Sequence, residues 1–235
     1  MPGQGSLISV ATTSDPAGAA FELVSAAMTE SVAERGRCLL NLSGGSTPLA
    51  LYRLLAQHPD LPWSDTHLFW GDERFVPVDH LDSNAGSAQQ VLVERVPVPA
   101  SQVYPWPILD TPENSAKAYE ALLGRTAGTP PLFDITLLGL GNDCHTAGLF
   151  PGSGSMSAPG LTVHSRPPGT TRARLSLTAG ALSRSRLVIF LVTGNEKREA
   201  LAALLAKEGD PERCPARAIS ALERLLVVTD LGLES

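Results

Sequence analysis

Asp143 and His145 stand two residues apart in the run LGLGNDCHTAGLFPG, Leu138 to Gly152, where an apolar stretch opens onto glycines. A neutral imidazole titrates near physiological pH and can take a proton from water, while a carboxylate beside it can orient the ring and support the charge that forms. His145 is the only histidine here flanked both by a carboxylate and by a small-residue segment, Thr146 to Gly148, that lets a substrate come close. It is therefore the candidate general base, with Asp143 as its partner. Cys144 invites a Cys-His nucleophile, but adjacent side chains diverge and no second histidine is placed to activate the thiol. His58, His67, His80, His145 and His164 lack the spacing of a metal motif, so no metal site is expected.

Three further segments carry chemistry. In Leu42-Ser43-Gly44-Gly45-Ser46-Thr47-Pro48 a strand ends and a helix begins, so free backbone N–H groups at Gly44, Gly45, Ser46 and Thr47 form a cradle for a phosphate or an oxyanion. The spacing is neither a Walker loop nor GxGxxG, which argues against a nucleotide, and a glycine turn followed by a Ser or Thr cap is the competing reading. Gly71-Asp72-Glu73-Arg74-Phe75-Val76-Pro77 puts three charges at another strand end, where Arg74 can fork onto a phosphate while the neighbouring carboxylates, Asp72 and Glu73, steady its guanidinium. A surface ion-pair turn fits the same residues. Of the polar loop that follows, His80 to Asn84, Asn84 reads as the cap of the next helix. Thr193-Gly194-Asn195-Glu196-Lys197 places Lys197 in a first helical turn, against the helix dipole, where either a bound phosphate or plain solvation accounts for it.

The elements that must position these groups alternate along the chain. Leu7 to Thr12, Arg37 to Leu42, Trp63 to Trp70, Leu132 to Leu140, Arg186 to Val192 and Leu225 to Thr229 read as apolar strands, and Arg174 to Thr178 alternates like one. Helical patterns cover Pro16 to Glu34, Pro48 to Gln57, Asn84 to Val93, Thr111 to Leu123 and Glu196 to Lys207, the first and fourth opened by Asp15-Pro16 and Thr111-Pro112. Pro151 to Thr171, rich in proline, glycine and serine, reads as a loop or lid. The alternation predicts an α/β fold around a largely parallel sheet, whose strand ends share one ligand-binding edge.

Length and composition bound the function. The 235 residues fit one domain, 1–235, and 43% apolar content supplies a core. A formal charge of -6, with no basic run longer than an Arg-x-Arg step such as Arg172 and Arg174, argues against nucleic acid as a partner. An anionic ligand then needs a local cationic pocket. Cys38, Cys144 and Cys214 leave an odd thiol and suit a reducing compartment better than a disulfide framework. The first residues carry no basic group before Asp15 and no long apolar core, and no window approaches about 18 apolar residues. A cytoplasmic protein that does not enter a membrane is expected.

Taken in order, these segments resemble the 6-phosphogluconolactonase family. LSGGSTP at Leu42 to Pro48, GDERFVP at Gly71 to Pro77 with DSN at Asp82 to Asn84, LGLGNDCHTAGLFPG, RLSLT at Arg174 to Thr178 and TGNEK at Thr193 to Lys197 carry the resemblance, which spans Leu7 to Asp230. It implies a Rossmann-like fold with helices on both faces of the sheet, no metal or organic cofactor, and hydrolysis of 6-phospho-D-glucono-1,5-lactone to 6-phospho-D-gluconate in the oxidative pentose phosphate pathway. It puts His145 at the catalytic histidine, Asp143 at the neighbouring aspartate, and Arg74, Arg174 and Lys197 at the basic pocket positions, leaving open which of the three holds the phosphate. The partner implied is a phosphorylated sugar lactone, bound by a monomer or weak homo-oligomer.

The chain departs from the family at Cys144, where Gly-Pro-Asp-Gly-His is usual. If that position adopts positive φ, Cys144 is strained by on the order of 1 kcal/mol or more. Relatives also often continue past Asp230 into a last helix. A glucosamine-6-phosphate deaminase shares a similar glycine loop and GxDGH-like segment, and a non-catalytic sugar-phosphate sensor is the remaining alternative. GDERFVP and LFPG favour the lactonase.

Overall fold

The computed structural model describes residues 8–129, 132–167 and 169–232; Leu7, where the first strand was expected to begin, lies outside them. The elements, numbered in chain order, are β1 (Ile8–Thr12), α1 (Pro16–Arg35), β2 (Cys38–Leu42), α2 (Ser46–Leu55), β3 (Thr66–Trp70), β4 (Asp72–Arg74), α3 (Asn84–Val91), β5 (Val103–Tyr104), α4 (Pro112–Thr126), β6 (Phe133–Gly139), β7 (Thr162–Ser165), β8 (Arg174–Leu177), α5 (Ala179–Leu182), β9 (Ser185–Val192), α6 (Arg198–Leu205) and β10 (Arg224–Thr229).

Seven strands form one parallel sheet in the order β1-β10-β9-β6-β2-β3-β5, flanked by helices. Strands covered on both faces read as unbroken apolar runs, which is why β2 is buried throughout and β9 nearly so. Leu40, Phe69, Phe133, Ile135, Val188, Phe190 and Val227 form the centre of this core. Local chemistry sets several helix boundaries. Asp15 accepts from the Gly18 N–H at 2.9 Å, Thr111 Oγ1 from Asn114 N at 3.1 Å, and left-handed Gly36 ends α1 with its N–H on the Val32 carbonyl.

The sheet order places β2 beside β6, and from that pair the strands run outward in two directions: β3 and β5 on one side, β9 and β10 on the other. The loops leaving β2 and β6 therefore diverge at a topological switch point, where open parallel sheets form their ligand crevice. The glycine loop follows β2, and the Asp143-Cys144-His145 loop follows β6.

A second sheet, antiparallel and three-stranded in the order β4-β8-β7, corrects the expectation of one shared edge. Asp72 to Arg74 are not a turn but β4, paired with β8 so that Asp72 faces Ser176 and Arg74 faces Arg174. Within the expected loop of 151–171, the strand β7 pairs with β8, and Ser155–Ser157 form a 3-10 turn. Trp63–Asp65 are likewise a 3-10 turn preceding β3, and Asn195–Lys197 another preceding α6, so Lys197 caps that helix from outside its first turn. No helix among the described residues is long and apolar enough to cross a membrane.

Candidate active site

A cleft of about 700 Å³ opens at the switch point, and His145, Asp72, Arg74, Arg174, Lys197 and Gly44 to Thr47 all line it. Residues far apart in the chain thus meet as the sequence reading expects. Asp143 does not line the cleft; it lies behind the imidazole, with its Oδ1 2.5 Å from His145 Nδ1 and 3.2 Å from the His145 N–H. If Nδ1 donates to that carboxylate, Nε2 is left with the free lone pair. Partial burial pushes the Asp143 carboxyl up, but the hydrogen bond and charge of His145, with backbone N–H groups, outweigh it and hold the group below the usual carboxylate range.

The loop that holds His145 is made by its neighbours. A Cβ on Gly141 would fall 1.9 Å from His145 Nδ1 and 2.7 Å from Asp143 Oδ1, so only a glycine lets the pair fold back over the chain. Cys144 has φ 68°, so the condition for strain at that position is met, and Ala147 has φ 48°. Thr146 Oγ1 donates to the Gly139 carbonyl at 2.8 Å, and the Gly148 N–H donates to Ser176 Oγ at 3.0 Å, tying the loop to both sheets. The Phe150 ring packs 4.5 Å from the imidazole.

The isolated-thiol expectation is corrected: Cys144 and Cys214, 70 positions apart, are disulfide-bonded with Cα atoms 4.7 Å apart, and only Cys38 is free. Folding, not spacing, creates that pair, because the loop after β6 and the segment after α6 meet only in three dimensions.

The side of the cleft that carries the glycine loop and the cations is built from both sheets. Gly45, at φ 103°, precedes α2, and no side chain caps that helix. The Ser or Thr cap of the competing reading is absent, and the residues at the N-terminus of α2 line the cleft, at the positive end of the helix dipole. Thr47 Oγ1 meets Thr193 Oγ1 at 3.0 Å, and the Asp230 carboxylate accepts from the Gly194 N–H at 3.1 Å, fixing the Lys197 turn beside the glycine loop.

Arg74 and Arg174 are cross-strand partners, an arrangement of like charges that is unfavourable without a compensating anion. Burial lowers the Arg174 pKa, and Arg74 lowers it further. Asp72 is 8% exposed; burial raises its pKa, opposed by Arg74, Arg174 and His145.

Asn84 and Glu73 complete the site, where the sequence offers Asn84 only as a helix cap and Glu73 only as a carboxylate beside Arg74. Ser83 is the cap of α3, not Asn84, as its side chain accepts from Gly86 N. Asn84 lies in the helix, buried, accepting from Arg74 Nη1 at 2.7 Å and donating to the Asp72 carbonyl at 2.9 Å. Gly44 packs against it so closely that a Cβ there would lie 1.8 Å from Asn84 Oδ1. Glu73 accepts from the N–H groups of Arg74, Asn84 and Ala85 and from Ser83 Oγ, all within 3.0 Å, clamping β4 to the start of α3. Burial pushes its carboxyl up, and those backbone donors pull it back. The DSN triplet is the sequence signal for this clamp. Among the described residues no group of three or more His, Cys, Asp or Glu is arranged to hold a metal ion.

Comparison with known proteins bears on this cleft. Residues 11–227 match the family described as glucosamine-6-phosphate isomerases/6-phosphogluconolactonase. A 6-phosphogluconolactonase from Synechocystis is 41% identical over 220 residues, covering 90% of this chain and 89% of the relative. One from Mycobacterium tuberculosis is 37% identical over 215 residues, 87% of each. The solved 6-phosphogluconolactonase of Trypanosoma cruzi superposes with a TM-score of 0.87 at 28% identity, over 97% of this chain and 96% of that one.

Proposed function

This chain belongs to the glucosamine-6-phosphate isomerase/6-phosphogluconolactonase family, and we propose that it hydrolyses 6-phospho-D-glucono-1,5-lactone to 6-phospho-D-gluconate. One observation carries the reading: His145, backed by Asp143, lines the same cleft as Arg74, Arg174 and Lys197. In this proposal the three cations and the amides of Gly44, Gly45, Ser46 and Thr47 receive the phosphate and the sugar, and binding of that remote anion positions the ester carbonyl. His145 Nε2 takes a proton from water as its oxygen attacks C1, and Asp143 stabilises the imidazolium that forms. The tetrahedral oxyanion is held by donors of the cleft. Its collapse breaks the bond from C1 to the ring oxygen, and the imidazolium returns its proton to that leaving oxygen. Asp72 holds the two arginines against their mutual repulsion.

The reaction as written uses protein groups and water alone, in one domain over residues 1–235, and the cytoplasmic address and weak or absent self-association belong to the same proposal. The test is a coupled assay on freshly generated lactone, corrected for spontaneous hydrolysis. Added turnover that scales with protein is expected. Background hydrolysis only, with ammonia released from glucosamine 6-phosphate, would replace this reading with a deaminase; neither activity, with binding of a sugar phosphate retained, would make the chain a sensor.

A further inference from the structure

The loop bearing His145 is held in an unusual backbone state. Residues with a Cβ adopt left-handed φ only where their surroundings impose it, and here Cys144 and Ala147 do so on either side of the base. Ala147 is fixed by the hydrogen bonds of Thr146 and Gly148 already described. Cys144 sits in a turn closed by its own N–H on the Gly141 carbonyl at 3.0 Å and by the Gly141 N–H on the His145 carbonyl at 2.8 Å; its carbonyl accepts from Ala216 N at 3.3 Å, and its sulfur is bonded to Cys214. The covalent link is the strongest of these.

Cys214 is itself well anchored. It precedes the 3-10 turn Pro215–Ala218, in which Arg217 Nη1 reaches the carbonyls of Ala203 at 2.6 Å and Ala206 at 2.7 Å, at the end of α6. Lys197 stands at the other end of that helix. The bond therefore straps the imidazole loop to the element that presents Lys197.

We infer that the Cys144–Cys214 bond is a redox-sensitive positioning device for His145: closed, it keeps the base-bearing loop in its left-handed conformation, and opened by a dithiol, it lets the loop relax and slows turnover. The inference rests on the hydrolase reading of the site. Both sulfurs are buried, but residues 206–213, immediately before Cys214, are exposed throughout, so local opening of that stretch admits a small reagent. In the opening step a dithiol thiolate attacks Cys214 Sγ, the sulfur–sulfur bond breaks, and Cys144 leaves as a thiolate that takes a proton. The second reductant thiol then displaces Cys214 and closes its own ring disulfide. Two electrons pass from reductant to protein; a small disulfide such as oxidised glutathione runs the exchange backwards.

The full chain, treated with oxidised glutathione or with dithiothreitol, is assayed on the lactone while alkylation and mass measurement count free thiols. Reduction is expected to lower kcat about threefold or more, because a displaced base costs rate, with KM changed less than about twofold, and reoxidation to restore it. Cys214→Ser should show the low kcat and no response to dithiol. Adding Cys144→Gly to that variant should recover much of the loss, since glycine takes left-handed φ without a tether, an outcome a merely structural bond would not produce. Equal kcat in both redox states, with lactone turnover intact, overturns the inference alone. Three free thiols after oxidation also overturn it. No enzymatic turnover in either state overturns the hydrolase reading and this inference together.

Discussion

In the proposed hydrolysis, His145 and Asp143 are the residues on which rate depends. Replacing His145 by alanine removes the proton acceptor, a change worth about 10²–10⁴ in kcat for general-base catalysis; the lactone assay should show that loss while the circular dichroism spectrum stays native. Asp143→Asn keeps the shape of the pair and removes its charge. With the charge gone, the imidazolium formed in the proposed reaction loses its counter-ion, so kcat should fall while KM changes less. An unchanged kcat would deny Asp143 an electrostatic role. The pair was readable in the sequence because two positions of separation fix it locally. Cys144 was readable for its backbone but not for its bond, which depends on a residue 70 positions away.

At the level of elements, the uncapped start of α2 and the turn before α6 form the two jaws of the proposed anion site. Gly44→Ala would drive a Cβ into Asn84 Oδ1, displacing the group that holds Arg74. Substrate titrations should show a raised KM with a smaller change in kcat, the mark of lost positioning on the binding side. Lys197→Ala should likewise raise KM, and an unchanged KM would remove it from the phosphate site. The strands β6 and β9 and the caps at Asp15 and Thr111 were legible, because burial on both faces and local hydrogen bonds leave their mark within a few residues. β7 was not. Its pairing with β8 is non-local, and its setting of proline, glycine and serine has the composition of a loop. The Glu73 clamp escaped for the same reason, as a carboxylate in a charged triplet looks solvated until β4 and α3 are folded together.

The whole molecule carries charge where burial disfavours it. Asp72 and Glu73 both have pKa values raised by burial, so folding is opposed by their ionisation: the penalty is absent below the unfolded carboxylate range and is fully present above the folded value. Asp72→Asn should therefore melt higher than the parent at neutral pH, with the difference vanishing as pH falls into the acid range, while lactone turnover drops. A melting temperature no higher than the parent's at neutral pH would show instead that Asp72 repays its burial by separating the arginines. The sequence disclosed the parallel sheet and its crevice; it did not disclose that a second, smaller sheet supplies two of the three cations, because β4 is only three residues long. Those two cations, Arg74 and Arg174, sit opposite one another in register, and what relieves them is any dianion, whichever end of the reaction it comes from. In the proposed reaction the phosphate of the opened acid is the phosphate of the lactone, so a cleft mouth that grips fresh molecules grips spent ones too, and turnover is expected to slow as product accumulates.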